Sequence, residues 1–143
     1  METTEKFKAT LVTGVIGEDI HITGIKILEH ALRDAGFKVV SLGIQVSQEE
    51  FVKAAIETNA DAILVSSLGG HAKINVEGLR DKCIEAGLKN VRLYIGGILA
   101  IDEPWEDTKK TFEDLGFDRV YRPYTMPGPV IADLEADFTK KGN

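Results

Sequence analysis

The fold is indicated most directly by the apolar run AILV at residues 62–65, which ends in Ser66 and Ser67. A strand that is apolar on both faces is typical of the centre of a parallel sheet with helices on both sides. The pattern predicts further strands before and after this run, over residues 8–15, 37–42, 91–95 and 118–121. The sequence therefore predicts a sheet of five strands.

After each strand, apolar residues at helical spacing or helix-capping residues predict a helix. The expected helices cover residues 24–35, the segment after the capping box of Ser47 and Glu50, 76–86, 102–116 with Pro104 at the first position, and 128–140. Strands that alternate with helices in this way predict a single doubly wound α/β domain over residues 1–143. We expect a flavodoxin-like (Rossmann-type) parallel sheet in the order 2-1-3-4-5, with helices on both faces.

The composition is that of an ordinary soluble domain, with 43% hydrophobic residues and 17 basic against 23 acidic residues, a net charge of -6. Nucleic acids and anionic membranes attract clustered positive charge, so this balance argues against both as partners. No apolar run approaches the roughly 18 residues of a membrane-spanning helix. The polar first residues do not resemble a signal peptide, and the single Cys83 cannot form an intramolecular disulfide. We therefore expect a cytoplasmic protein in which Cys83 is a small buried residue.

Three short motifs follow strands that should end at one edge of the sheet. They are D-x-H-x-x-G at residues 19–24, S-x-L at 66–68 and G-G at 96–97. The first is separated from the second by 41 residues, and the second from the third by 27. In sheets of this topology, ligands bind beyond the carboxyl ends of the strands, at the switch point between the first and third strands. The topology therefore predicts that the three motifs meet at one binding site.

In this order and at this spacing, the motifs resemble the cobalamin-binding fingerprint of mutases and methyltransferases in which a protein histidine replaces the benzimidazole ligand of cobalt. That histidine is His21, the expected lower axial ligand and metal-binding residue. Imidazole is a good ligand for metals of this kind, and Asp19 can accept the proton of the other ring nitrogen. One histidine cannot hold a bare ion, but a macrocycle supplies the remaining donors. The motifs assign no catalytic residue in this chain, and Asp19 is expected to act through His21.

The resemblance also implies a channel beside the sheet for the displaced nucleotide tail. Small residues at Gly24, Ser66, Gly96 and Gly97 leave room for it, and the Ser66 hydroxyl is expected to hydrogen-bond the benzimidazole nitrogen. Leu68 is expected near the corrin ring, and residues 98–102 along the tail. The expected cofactor-binding residues are Glu18, Asp19, Ile20, His21, Ile22, Gly24, Ser66, Ser67, Leu68, Gly96, Gly97, Ile98, Leu99, Ala100, Ile101 and Asp102.

Two other functions of this fold are disfavoured at particular positions. A receiver domain requires an aspartate at the end of the third strand, where Ser66 and Ser67 stand. A flavodoxin-type flavin site requires a phosphate loop rich in Ser and Thr after the first strand. Residues 14–19 instead include two carboxylates, which repel phosphate.

Similarity beyond the motifs extends from about residue 9 to residue 134 and resembles the small subunits of glutamate mutase (methylaspartate mutase). The resemblance implies an isomerase that uses adenosylcobalamin and a radical mechanism to convert L-glutamate to L-threo-3-methylaspartate. It also implies a large barrel-type catalytic subunit, in a heterotetramer of two small and two large subunits, without which this chain is inactive. The resemblance is carried by segments 14–17, 59–68, 78–83, 85–89 and 116–121.

The turn at residues 69–73 departs from the tyrosine- and glutamine-containing turn of that family, which leaves alternatives open. One is the small subunit of a mutase for another acid, 2-methyleneglutarate or an acyl-CoA. Another is a non-catalytic cobalamin carrier or sensor domain. Methyltransferase corrinoid proteins carry a helical bundle before the first strand, which this sequence does not show, so we expect a mutase subunit. His71 is a candidate contact to cofactor or partner, and His30 is expected at the surface.

Overall fold

The computed structural model describes residues 6–17, 23–67 and 71–138, and its strands form one parallel sheet. The strands are β1 (Thr10–Val15), β2 (Lys38–Ser41), β3 (Ala62–Ser67), β4 (Arg92–Gly97) and β5 (Arg119–Val120). They lie in the order β2-β1-β3-β4-β5, each parallel to its neighbours, which confirms the predicted topology. β5 is shorter at both ends than the strand predicted over residues 118–121.

The helices of the described residues are α1 (Thr23–Asp34), α2 (Gln48–Thr58), α3 (Ala72–Val76), α4 (Leu79–Glu85), α5 (Trp105–Asp114) and α6 (Pro127–Phe138). The helix predicted over residues 76–86 is present as α4, but its predicted start is wrong, because Val76 is the last residue of a separate helix, α3. Gly78 stands between them with a φ of 88°, in the left-handed region that interrupts a right-handed helix.

Most helix ends follow the predicted capping residues. The Ser47 hydroxyl accepts a hydrogen bond from the Glu50 backbone N–H, and the Glu50 carboxylate accepts one from the Ser47 N–H, so the predicted capping box opens α2. Gly36 follows α1 with a φ of 101°, as expected of a left-handed C-terminal cap. Pro104 lies one position earlier than predicted, because its ψ of 142° is extended and α5 begins at Trp105.

The two faces of the sheet carry separate apolar cores. On the face covered by α2, α3, α4 and α5, the buried side chains include Phe51, Leu79 and Phe112. On the opposite face, Leu32 of α1 and Leu134 of α6 are buried. Because strand side chains alternate in direction, the same strands supply both cores. We call these two sides the α2–α5 face and the α1–α6 face.

Two expectations for single residues are confirmed. Cys83 is buried in the core of the α2–α5 face, and this burial raises the pKa of its thiol. His30 is exposed on α1, with Nε2 3.4 Å from the carboxylate of Asp34. Among the helices of residues 6–17, 23–67 and 71–138, none is long and apolar enough to cross a membrane.

Candidate functional site

A cavity of about 450 Å³ opens on the α1–α6 face, at the carboxyl ends of β3 and β4. The two helices α1 and α6 supply its walls, and the chain that leaves β5, residues 121–126, supplies part of its rim. The cavity is lined by Gly24, Ile25, Ile27, Leu28, Leu64, Val65, Ser66, Tyr94, Ile95, Gly96, Gly97, Tyr121, Arg122, Tyr124, Thr125, Met126, Pro127 and Val130.

Four of the residues predicted to bind the cofactor line this cavity together, namely Gly24, Ser66, Gly96 and Gly97. In the sheet register, Ser66 lies between Val15 of β1 and Gly96 of β4. This is the edge at which the strand order places a ligand site. The structure therefore brings the described parts of the three motifs to one place.

The remaining motif residues lie outside the described part of the chain, and their roles stay predictions. All of them except Leu68 follow Gly17 along the chain, and the Gly17 N–H donates to the Val46 carbonyl over 3.0 Å. The neighbouring Ile16 N–H donates to the Ser66 carbonyl, also over 3.0 Å. The chain therefore leaves β1 beside Ser66 as it enters the motif. The residues concerned are Glu18, Asp19, Ile20, His21, Ile22 and Leu68.

Glycine occurs at the motif positions for different structural reasons. A Cβ placed on Gly24 meets no atom within 4 Å, so the missing side chain leaves space at the cavity wall. A Cβ on Gly97 lies 2.1 Å from the Ser67 carbonyl oxygen, and Gly97 has a φ of 112°. The close packing of β3 on β4 alone therefore requires glycine at position 97. Gly24, in contrast, is not required by any contact within the described chain.

Ser66 and Ser67 point to different surroundings, as consecutive strand residues do. Ser66 is half-buried and lines the cavity, and its hydroxyl has no hydrogen-bond partner among the described residues. Ser67 is buried and does not line the cavity. With respect to the described residues, Ser66 thus offers an unused donor and acceptor to a ligand in a mostly apolar space.

Residues 98–102, predicted along the nucleotide tail, do not line the cavity. Leu99 is buried in the core of the α2–α5 face, whereas Ile101 is 70% exposed. Asp102 is exposed as well, with a φ of 59°. Contact between this segment and a cofactor stays a prediction. His71, exposed at the start of α3, also lies away from the cavity lining.

Sequence reasoning missed the polar floor of the cavity, where Tyr94 and Tyr121 stack with ring centroids 6.5 Å apart. The Tyr94 hydroxyl donates to Asp137 of α6, and the Tyr121 hydroxyl donates to Asp133 over 2.8 Å. Arg119 donates to both oxygens of Asp137, over 2.9 and 3.0 Å. These bonds hold α6 against the ends of β4 and β5. The strand order could have indicated this region, because the chain after β5 must leave the sheet at the same edge.

Burial and the same contacts further favour the neutral form of both tyrosines. Burial, followed by hydrogen bonding to the aspartates, raises the pKa of Tyr94 and of Tyr121 well above the usual range. Hydrogen bonds from Arg119 lower the pKa of Asp137. The floor of the cavity therefore presents uncharged aromatic rings, while its charges are paired behind them.

The site fits the nucleotide tail that the motifs imply. Its volume, its apolar walls and the free Ser66 hydroxyl suit a flat aromatic base with a ring nitrogen to be hydrogen-bonded.

The comparisons with known proteins agree with the motifs. The B12 binding domain family matches residues 9–125. The glutamate mutase sigma subunits of Clostridium cochlearium and Carboxydothermus hydrogenoformans are each 54% identical over 132 residues, 92% of this chain and 96% of each relative. This chain belongs to the glutamate mutase sigma subunit family, within the B12-binding domains. The family predicted from the sequence is confirmed.

Solved structures share the fold at lower identity. A cobalamin-binding protein from Desulfitobacterium hafniense DCB-2 aligns with a TM-score of 0.74 and 21% identity, over 90% of this chain and 58% of that one. The monomethylamine corrinoid protein of Methanosarcina barkeri aligns with a TM-score of 0.71 and 26% identity, over 92% of this chain and 61% of that one. The receiver domain of NarL from Mycobacterium tuberculosis also aligns, with a TM-score of 0.64 and 15% identity. The fold alone therefore does not distinguish a cobalamin-binding domain from a receiver domain, whereas the motifs do.

Proposed function

We propose that this chain binds adenosylcobalamin as the sigma subunit of a glutamate mutase that converts L-glutamate to L-threo-3-methylaspartate. The observation that carries the proposal is the cavity of about 450 Å³ at the carboxyl ends of β3 and β4, where Gly24, Ser66 and Gly96 meet. Relatives that share about half of their residues with this chain are glutamate mutase sigma subunits, and the match covers most of their length.

Within the cavity, the described residues hold the nucleotide tail of the cofactor. Gly24 leaves space for it, and the Ser66 hydroxyl hydrogen-bonds the benzimidazole nitrogen. Ile25, Leu28 and Val130 exclude water from the base by apolar contact.

His21 is the proposed lower axial ligand of cobalt, and Asp19 accepts the proton of its other ring nitrogen. This assignment rests on the motif at residues 19–24 and on the exit of β1 beside Ser66. Such a carboxylate fixes the imidazole tautomer and raises its basicity. When bound, adenosylcobalamin supplies the adenosyl radical by homolysis of its cobalt–carbon bond.

The catalytic partner is a large barrel-type subunit, in a cytoplasmic heterotetramer of two small and two large subunits. The cavity rim supports this proposal, because Ile27, Tyr124 and Met126 are 57%, 85% and 69% exposed. Exposed apolar side chains grouped at one rim are typical of a contact surface. The large subunit covers this rim and supplies the substrate contacts.

The proposal is tested by reconstitution. The purified chain with adenosylcobalamin should not isomerise glutamate, and addition of the cognate large subunit should restore formation of 3-methylaspartate. Ser66→Ala should weaken cobalamin binding by about five- to tenfold, because one hydrogen bond in the cavity is lost.

Other outcomes separate the alternatives. Isomerisation of 2-methyleneglutarate or an acyl-CoA by the reconstituted pair, without activity on glutamate, contradicts the substrate assignment but keeps the cofactor. Cobalamin binding without turnover of any of these acids favours a carrier or sensor. A chain that binds no cobalamin contradicts the proposed function.

A further inference from the structure

Arg122 is the one charged residue among those that line the cavity, within the described part of the chain. It follows β5 and is exposed at the rim, next to Tyr121. A cation at this rim can contact a ligand that carries negative charge.

The Arg122 side chain is held by an aromatic ring and not by a carboxylate. Its Cζ lies 5.2 Å from the ring centroid of Trp105, the first residue of α5. No described carboxylate pairs with Arg122. Arg119, three residues earlier, is in contrast paired with Asp133 and Asp137. Of these two arginines, only Arg119 is paired with a described carboxylate.

The Trp105 ring is well placed to hold the Arg122 guanidinium in position. It does not line the cavity itself. It is half-buried and packs against the core of the α2–α5 face, so its ring is fixed from behind, and Arg122 lies between this ring and the cavity rim. An aromatic ring restricts the position of a guanidinium that lies over its face. The N–H groups of the guanidinium nevertheless remain free to donate hydrogen bonds. A planar guanidinium with free N–H groups matches two oxygens of a phosphate at once.

We propose that Arg122, held by Trp105, binds the phosphodiester of the nucleotide tail of the cofactor. This inference rests on the proposed function. The ribose and the benzimidazole base of the tail are neutral, and its phosphodiester carries its one negative charge. Within the described part of the chain, a cavity with mostly apolar walls, two uncharged tyrosines and one cation at the rim matches that distribution. Arg122 thereby selects for a cobalamin with a complete tail.

The test measures the affinity of the full chain for four ligands by calorimetry. They are hydroxocobalamin, cobinamide (the corrin without the nucleotide tail), the ribonucleoside of the tail, and the 3′-phosphate of that ribonucleoside. The variants are Arg122→Gln, Arg122→Lys and the control Lys110→Gln. Lys110 is exposed on α5 and lies 3.3 Å from Asp114, so the control removes an equal charge away from the cavity.

Arg122→Gln should weaken binding of hydroxocobalamin and of the 3′-phosphate by about tenfold, the size expected of one charge-assisted contact. It should change binding of cobinamide and of the ribonucleoside by less than about twofold, because neither carries the phosphodiester. Arg122→Lys should lie between the wild type and Arg122→Gln, since it keeps the charge without the planar fork. Added salt should weaken phosphate-dependent binding in the wild type and not in Arg122→Gln. Trp105, the single tryptophan, should report the same step by its fluorescence.

Three results would overturn the inference. Equal loss for ligands with and without phosphate means that Arg122 only supports packing of the rim. Unchanged affinity for all four ligands, with impaired reconstitution by the large subunit, means that Arg122 pairs with a carboxylate of that subunit. Both results leave the proposed function intact. A wild-type chain that binds neither hydroxocobalamin nor cobinamide removes the proposed function and this inference together.

Discussion

The α2–α5 face and the α1–α6 face cover the same sheet but are packed in different ways. On the α2–α5 face, the larger apolar core is built of side chains such as Phe51, Leu79 and Phe112, all nearly free of solvent contact. On the α1–α6 face, the smaller core leaves the cavity open between the two helices. The sheet thus uses one side for stability and the other for binding.

The α1–α6 face replaces part of the missing apolar contact by buried polar contacts. The Thr13 hydroxyl of β1 donates to Glu29 of α1 over 2.6 Å, and Tyr94 donates to Asp137 of α6. Directional bonds of this kind fix the position of a helix at one point and do not require the space beside it to be filled. The comparison indicates that the cavity is kept open because polar pairs, and not side-chain packing alone, position α1 and α6.

The largest expected effects compare two fully buried leucines, Leu79 on the α2–α5 face and Leu134 on the α1–α6 face. Leu79→Ala should lower the free energy of unfolding by about 4 kcal/mol, and Leu134→Ala by about 3 kcal/mol, since Leu134 belongs to the smaller of the two apolar cores. Urea denaturation of both variants measures the difference. A larger loss for Leu134→Ala would contradict the division of roles between the faces.

The next largest effect concerns the hydrogen bonds and the ion pair that Asp137 of α6 makes with the sheet. Asp137→Asn should lower the free energy of unfolding by about 2 kcal/mol, because it removes the carboxylate that Arg119 and Tyr94 contact. The control Asp133→Asn should lower the free energy of unfolding by less. The side chain of Asp133 is 34% exposed and that of Asp137 only 9%.

The pH dependence of this effect has a definite sign. Hydrogen bonds from Arg119 lower the pKa of Asp137 below its usual 3.8 in the folded protein. The stabilisation is therefore present above the usual pKa of 3.8, begins to decrease as the pH approaches that value, and is lost as the pH falls through the folded value. The difference between wild type and Asp137→Asn in urea unfolding should be constant from neutral pH to about pH 5 and shrink below it. A difference that grows on acidification would show that Asp137 does not supply this stabilisation.

A smaller effect is expected at Glu29, whose side chain is 1% exposed and has Lys26 Nζ 3.5 Å away. Glu29→Gln keeps an acceptor for the Thr13 hydroxyl and removes a buried charge, so stability should change by less than about 1 kcal/mol. Glu29→Ala should cost about 2 kcal/mol, because the hydroxyl loses its partner. Thermal unfolding of both variants provides the measurement. Equal losses for the two would mean that the charge itself holds α1.

The smallest effect on stability is expected at two glycines, where a loss of cobalamin binding can be distinguished from a loss of stability. Gly24 and Gly128 are each the second residue of a helix, and a Cβ on either meets no atom within 4 Å. Alanine at either position should change the free energy of unfolding by less than about 1 kcal/mol. Only Gly24 lines the cavity, so Gly24→Ala should weaken cobalamin binding several-fold while Gly128→Ala does not. Equal affinities of the two variants would place the ligand elsewhere.

Local sequence signals were sufficient for the strands, their order and the meeting of Gly24, Ser66 and Gly96. Periodicity identifies strands and helices, and the chirality of parallel connections restricts their order. The division of the helix at Gly78 was missed, because a glycine in a helical pattern does not reveal its φ. The wall formed by α6 was missed because it depends on contacts between distant residues, such as Tyr94 and Asp137. No local pattern encodes such a pair.

The proposed axial ligation by His21 is tested most directly by electron paramagnetic resonance of the chain loaded with cob(II)alamin. Cobalt bound by one imidazole nitrogen shows a triplet superhyperfine splitting with natural nitrogen and a doublet with nitrogen-15. Protein labelled with nitrogen-15 at histidine only should give the doublet, and His21→Ala should remove the histidine signal while His30→Ala keeps it. A triplet that persists in the labelled protein would show that the benzimidazole nitrogen of the cofactor remains on cobalt, and would contradict both the role of His21 and the displaced tail in the cavity.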